Sequence, residues 1–153
     1  MTISDIKLIN ISQQHQAIHA QMKYLIKALP LLSKQPCQIM GYSTNLKDQM
    51  ARYRWSLYDF KEAVRNHSEL DERIFRNSRF NKEISKEHQE IREQIDTAVS
   101  LSEDATNNKL AHEDLINYSE KINMLVKEIW KTMEQHMAKE DNLLKQPQMT
   151  NIY

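Results

Sequence analysis

Apolar residues recur along this chain at three- and four-residue spacing in four blocks, and each block predicts an amphipathic helix. The first runs roughly over 4–29, with Leu8, Ile11, His15, Met22, Ile26 and Leu29 on one stripe. The second covers roughly 44–76, with Met50, Leu57, Phe60, Val64, His67, Asp71 and Ile74 aligned. The third spans roughly 81–105, through Ile84, His88, Ile91, Ile95 and Ala98. The fourth spans roughly 109–145, through Ile122, Val126, Ile129, Met133, His136, Glu140 and Leu143. Every stripe carries a histidine, and the second and fourth also carry a carboxylate. Polar groups on a core-facing stripe cost free energy unless each finds a partner. One core histidine bonded to an acid explains a single such stripe well; four stripes call for a shared explanation, and metal coordination satisfies all six groups together.

The polar positions also repeat. His67-Ser68-Glu69-Leu70-Asp71-Glu72-Arg73-Ile74-Phe75 matches His136-Met137-Ala138-Lys139-Glu140-Asp141-Asn142-Leu143-Leu144 as histidine, three residues, two acids, one residue and two apolars. Four residues make about one helical turn, so each histidine shares a face with its first acid. A second match joins His15-Gln16-Ala17-Ile18 to His88-Gln89-Glu90-Ile91. The chain therefore reads as a duplicated helical hairpin. If paired ligands lie at one depth, each hairpin tip falls near the midpoint between them: Gly41, then Asn77-Ser78, then a position close to Thr106-Asn107-Asn108. His15, His67, His88 and His136 then share one level of an all-α, up-down-up-down antiparallel four-helix bundle. His112 stands about 36 Å along a helix from His136 and is excluded from the cluster.

Composition narrows the class. The chain has 153 residues, the size of one domain, with the bundle expected over 1–146 and a short C-terminal tail over 147–153. Lys and Arg total 21 and Asp and Glu total 21, so no net field draws nucleic acid or an anionic membrane. One Gly and three Pro imply long helices with few connections. The lone Cys37 forms no internal disulfide, and neither a leader-type start nor a membrane-length apolar run is present, so a cytoplasmic location is expected. Asp5, Glu62, Glu69 and Glu87 read as solvated surface charge, and the methionines with Trp55, Tyr58, Phe60 and Trp130 as core or pocket wall.

These motifs resemble the hemerythrin-like family, the HHE cation-binding domain, over nearly the whole chain. The family uses a histidine on the first helix, His-xxx-Glu on the second, a histidine on the third, and His-xxx-Glu or His-xxxx-Asp on the fourth. The resemblance implies a carboxylate-bridged pair of iron ions held by His15, His67, Asp71, His88, His136 and Glu140, with other divalent metals also suited to these donors. It further implies binding of a diatomic ligand, O2 or NO, in gas sensing or storage or in oxidative or nitrosative stress. The alternative is a di-iron repair or redox enzyme, akin to iron–sulphur cluster repair or consuming peroxide. Three departures matter. Ile84 stands where oxygen carriers have a second third-helix histidine, and Asp71 replaces the usual Glu. On the fourth helix, Glu140 and Asp141 compete for the bridging role. His19 shares a face with His15 and is a further candidate ligand. The absence of Cys from the cluster argues against a structural zinc site.

Overall fold

The structure is a computed structural model and describes residues 3–33 and 42–146, with side chains over 9–28 and 46–146. Gly41, Cys37, Pro36 and the 147–153 tail lie outside the described residues, as do the side chains of Asp5, Leu8 and Leu29. Four helices follow in order: α1 (Ile3–Ser33), α2 (Tyr42–Ile74), α3 (Asn81–Asn107) and α4 (His112–Leu144). They form an all-α four-helix bundle in which α1 packs on α2 and α4, and α3 on α2 and α4. Neighbours run antiparallel, since side-chain partners descend on one helix as they climb on the next. Tyr53 bonds the Leu25 carbonyl while His67 bonds Gln14, and Arg54 bonds Thr106 while His88 meets Asp71.

The connections show why the helices stop where they do. After Ile74, Ser78 N–H donates to Phe75 O at 2.9 Å, and Asn81 N–H to Ser78 O at 3.2 Å. The Ser78 hydroxyl then accepts from Phe80 N–H, so a tight turn centred on Asn77-Ser78 joins α2 to α3. The α3–α4 tip is Asn108–Ala111. Ala111 is extended and its carbonyl accepts from Leu115 N–H at 3.1 Å, which makes His112 the first residue of α4. Glu113 and Asp114 follow in the first turn, where the helix dipole favours negative charge.

The predicted stripes face inward. Ile11, Met22, Met50, Leu57, Phe60, Val64, Ile84, Ile91, Ile95, Ala98, Ile122, Val126, Ile129 and Met133 are buried, each large side chain contributing about 1.5–3 kcal/mol. Two expectations need correction: Trp55 is 61% exposed and Met124 70%, so neither belongs to the core or a pocket wall. Trp55 instead lies on the outside of α2, edge-on to Tyr58 and beneath Arg54. The buried apolar side chains form two separate clusters. The larger fills most of the bundle; the smaller comprises Ile11, Ile74, Phe75, Ile84, Leu143 and Leu144 at the end holding the α2–α3 turn. Between them lies a polar layer. No helix among the described residues is long and apolar enough to cross a membrane.

Candidate metal centre

His67, Asp71, His88, His136 and Glu140 converge in that layer, each offering one donor atom, with all five atoms within 4.8 Å of one another. His67 Nε2 lies 2.9 Å from Asp71 Oδ2 and 3.1 Å from Glu140 Oε1. His88 Nε2 lies 3.1 Å from Asp71 Oδ2. His136 Nε2 contacts Glu140 Oε1 and stands 3.5 Å from Asp71 Oδ2. Asp71 and Glu140 are fully buried, and each histidine of the five is at most 3% exposed. His15 joins at the margin, with Nε2 3.9 Å from Glu140 Oε1 and its ring 4.8 Å from that of His67.

The remaining candidates separate cleanly. Asp141, half-exposed, turns away from the layer and accepts from His15 Nδ1 at 3.0 Å. Between the two adjacent acids, Glu140 is thus the inward one. His19 is not brought into the cluster; its ring packs 4.7 Å from Trp130. His112 lies at the far end of α4. Glu87 corrects the sequence reading, because it is not a solvated surface charge. Its Oε1 accepts from His136 Nδ1 at 2.8 Å, and its Oε2 takes Lys139 Nζ at 2.8 Å. Glu62 and Glu69 are surface acids, both paired with Arg65.

Sequence reasoning missed the groups on the outer nitrogens. Gln14 Oε1 accepts from His67 Nδ1 at 3.0 Å, and Glu72 Oε1 lies 3.6 Å from His88 Nδ1. With Asp141 and Glu87, three of the four imidazoles therefore have an acceptor on the outer side, while His88 Nδ1 is buried without a hydrogen bond and faces Glu72 only at longer range. A signal was present: Gln14 and Glu87 each precede a stripe histidine, and Glu72 and Asp141 each follow a stripe acid.

An outer nitrogen that donates to an oxygen leaves the inner one as a bare lone pair in the neutral ring. His88 Nε2 and His136 Nε2 lie 3.0 Å apart, with carboxylate oxygens beside both. Such a constellation needs positive charge at its centre, from protons or from a metal ion. Asp71 Oδ1, Glu140 Oε2 and His15 Nε2 are buried with no hydrogen-bond partner among the described residues. A buried polar atom left so is costly, and a cation in the layer would satisfy it. The donor set therefore fits a metal, and nitrogen and oxygen donors without thiolate suit iron, manganese or zinc. A groove of about 540 Å³ between α1 and α4, lined by Ser12, His15, Gln16, His19 and Asp141 among others, reaches the layer's edge at His15.

Without metal, protons serve. Burial disfavours charge on His67, but hydrogen bonds to Asp71 and Glu140 outweigh it and raise its pKa to about 9. The same opposition raises His136 to about 10. Asp71 is pushed up by burial yet held well below its ordinary range by hydrogen bonding to Glu140 and the three imidazoles His136, His67 and His88. His15 goes the other way: burial lowers it, against the pull of Glu140. For His67 and His136 the folded pKa exceeds the unfolded 6.5, so their stabilisation is full below pH 6.5 and fades as pH climbs through about 9 and 10. Asp71 stabilises above its unfolded 3.8 and loses this in acid. The His15 contribution is lost as pH drops below 6.5. The metal-free protein is accordingly expected to show a lower urea midpoint at pH 10 than at pH 6; an equal or higher value would contradict the charged His67 and His136.

The chain matches no family model, no curated protein and no solved structure in the comparisons with known proteins. The fold and the layer stand on their own: a four-helix bundle with a buried histidine–carboxylate cluster able to hold a metal ion.

Proposed function

We propose that this protein is hemerythrin-like, holding two iron ions that share Asp71 and Glu140, and that it binds O2 or NO there in gas sensing or storage or in oxidative or nitrosative stress. The observation that carries this reading is the pairing of the imidazoles. His15 and His67 have ring centroids 4.8 Å apart, and His88 and His136 4.7 Å, whereas His67 stands 6.1 and 6.0 Å from His88 and His136. Both pairs meet the same two carboxylates. Two pairs of imidazoles about two shared acids suit two metal positions better than one. Bound iron would supply a redox-active centre with coordination positions left over for a small ligand. The protein's own part is to aim four Nε2 atoms inward and to cover the layer with apolar side chains at both ends.

A second reading has its own observation. Ile84 is fully buried in the smaller apolar cluster, so the position that would supply a fifth imidazole supplies none. One imidazole fewer would leave one more coordination position open, which counts against stable O2 carriage and supports a repair or peroxide-consuming redox enzyme. Iron per chain, followed by optical spectra of the anaerobically reduced protein as O2 or NO is added, separates the two. A stable reversible O2 or NO band supports ligand binding, and rapid autoxidation with turnover supports the enzyme. No metal after iron-supplemented expression would sink both. The double variant His67→Ala, His136→Ala is expected to lose at least 100-fold in metal affinity, and His112→Ala to retain wild-type affinity, both read by equilibrium dialysis.

A further inference from the structure

Three outer acceptors and one nearby carboxylate follow one another around the bundle. Asp141 on α4 serves His15 on α1, and Gln14 on α1 serves His67 on α2. Glu72 on α2 faces His88 on α3, and Glu87 on α3 serves His136 on α4. Each of the four reaches across one seam to the next helix, always in the same sense. We infer that Asp141, Gln14 and Glu87 are positioning residues that turn the Nε2 atoms of His15, His67 and His136 inward, with Glu87 the principal one and the uncharged Gln14 the weakest of the three. The inference rests on the metal reading and adds residues that touch no ion themselves.

The ranking follows from charge and confinement. Glu87 is the least exposed of the three carboxylates, with 25% of its side chain open against 40% for Glu72 and 50% for Asp141. Both of its oxygens are engaged, one by His136 and one by Lys139, which also reaches Glu83. A carboxylate held this way fixes the plane of the imidazole and makes its inner nitrogen more basic, and removing such a partner typically costs 10- to 100-fold in metal affinity. Gln14 occupies the place that Glu87 has in the other half of the chain but is uncharged, so His67 receives the orientation without the added basicity.

The test uses manganese(II) and cobalt(II) binding by the full chain, read by calorimetry and by the cobalt ligand-field spectrum. Glu87→Gln is expected to weaken binding at least tenfold and to shift the spectrum, with Glu87→Asp restoring part of both. Gln14→Glu is expected to tighten binding, while Gln89→Glu, which adds the same charge beside His88 on the solvent face, should change it less than twofold. Glu87→Gln within twofold of wild type, or Gln89→Glu as effective as Gln14→Glu, would overturn the inference. The metal-free protein supplies an independent readout, because the His136 Nδ1 proton resonance should be visible by NMR and vanish in Glu87→Gln. If the wild type took up no metal yet kept this resonance, the metal reading would fall while the ring stood; absence of the resonance from wild type would sink the ring itself.

Discussion

Anaerobic addition of iron(II) to the metal-free protein should raise its thermal midpoint by about 8–16 °C. A ligand at about a thousand times its Kd stabilises the folded state by about 4 kcal/mol, and a domain of this size shifts by about 2–4 °C per kcal/mol. The unfolded chain scatters the six inward groups over 126 positions, from His15 to Glu140, and cannot match that affinity. The shift should also widen with pH. A bound metal would replace the protons held by His67 and His136, whose pKa values near 9 and 10 make that replacement costly at pH 6 and easier at pH 9. Over the same range the metal-free protein loses stability, so the two melting curves diverge. A midpoint that is unchanged by iron(II), manganese(II) and cobalt(II), measured by calorimetry at pH 6 and 9, would remove the metal centre from consideration.

The second expectation has opposite signs for two kinds of variant. Asp71→Ala should destabilise the metal-free protein by about 3–5 kcal/mol, because it strips a partner from the buried imidazoles of His67 and His136, whose charge Asp71 favours. Replacing the whole layer should do the reverse. With His15, His67, His88 and His136 changed to Leu, Asp71 to Val and Glu140 to Met, the two apolar clusters would merge through the middle of the bundle. Exchange of a buried ionic cluster for packed apolar groups is commonly neutral or stabilising by about 1–4 kcal/mol. Urea titration of the metal-free forms measures both. The sixfold variant is expected to be at least as stable as wild type and to take up no metal. Were it much less stable, the layer would be a structural element of the fold, and its value as a binding site would lose its main support.

The four helices and the inward groups were legible because burial imposes a period, and His15, His67, Asp71, His88, His136 and Glu140 keep that period as faithfully as the leucines and isoleucines around them. The choice between Glu140 and Asp141 was not legible, and the reason is angular. Neighbours in a helix are about 100° apart, so the residue beside a core position points along a seam, and its role depends on what the next helix brings there. Gln14, Glu72 and Glu87 escaped notice for the same reason, and a glutamate read as solvent-facing proved to bond His136. Residue type overcounted where periodicity did not: Trp55 and Met124 are large apolar residues off the predicted stripes, and their helical angle sets them outside.

The cycle of acceptors carries a consequence for how such a chain can be divided. Severed at the Asn77-Ser78 turn, it yields two hairpins with matching inventories: two imidazoles, one inward acid and two outer oxygen-bearing side chains each. Neither is complete, since His15 bonds Asp141 and His88 faces Glu72 at 3.6 Å, both from the opposite piece. Only the His67–Gln14 and His136–Glu87 links close within a piece. Two copies of one hairpin related by a twofold axis would close the same circuit, each lending the other what it lacks. The single chain is thus organised like a symmetric pair fused end to end, with the substitutions between its halves, Asp71 against Glu140 and Gln14 against Glu87, marking where that symmetry has been given up.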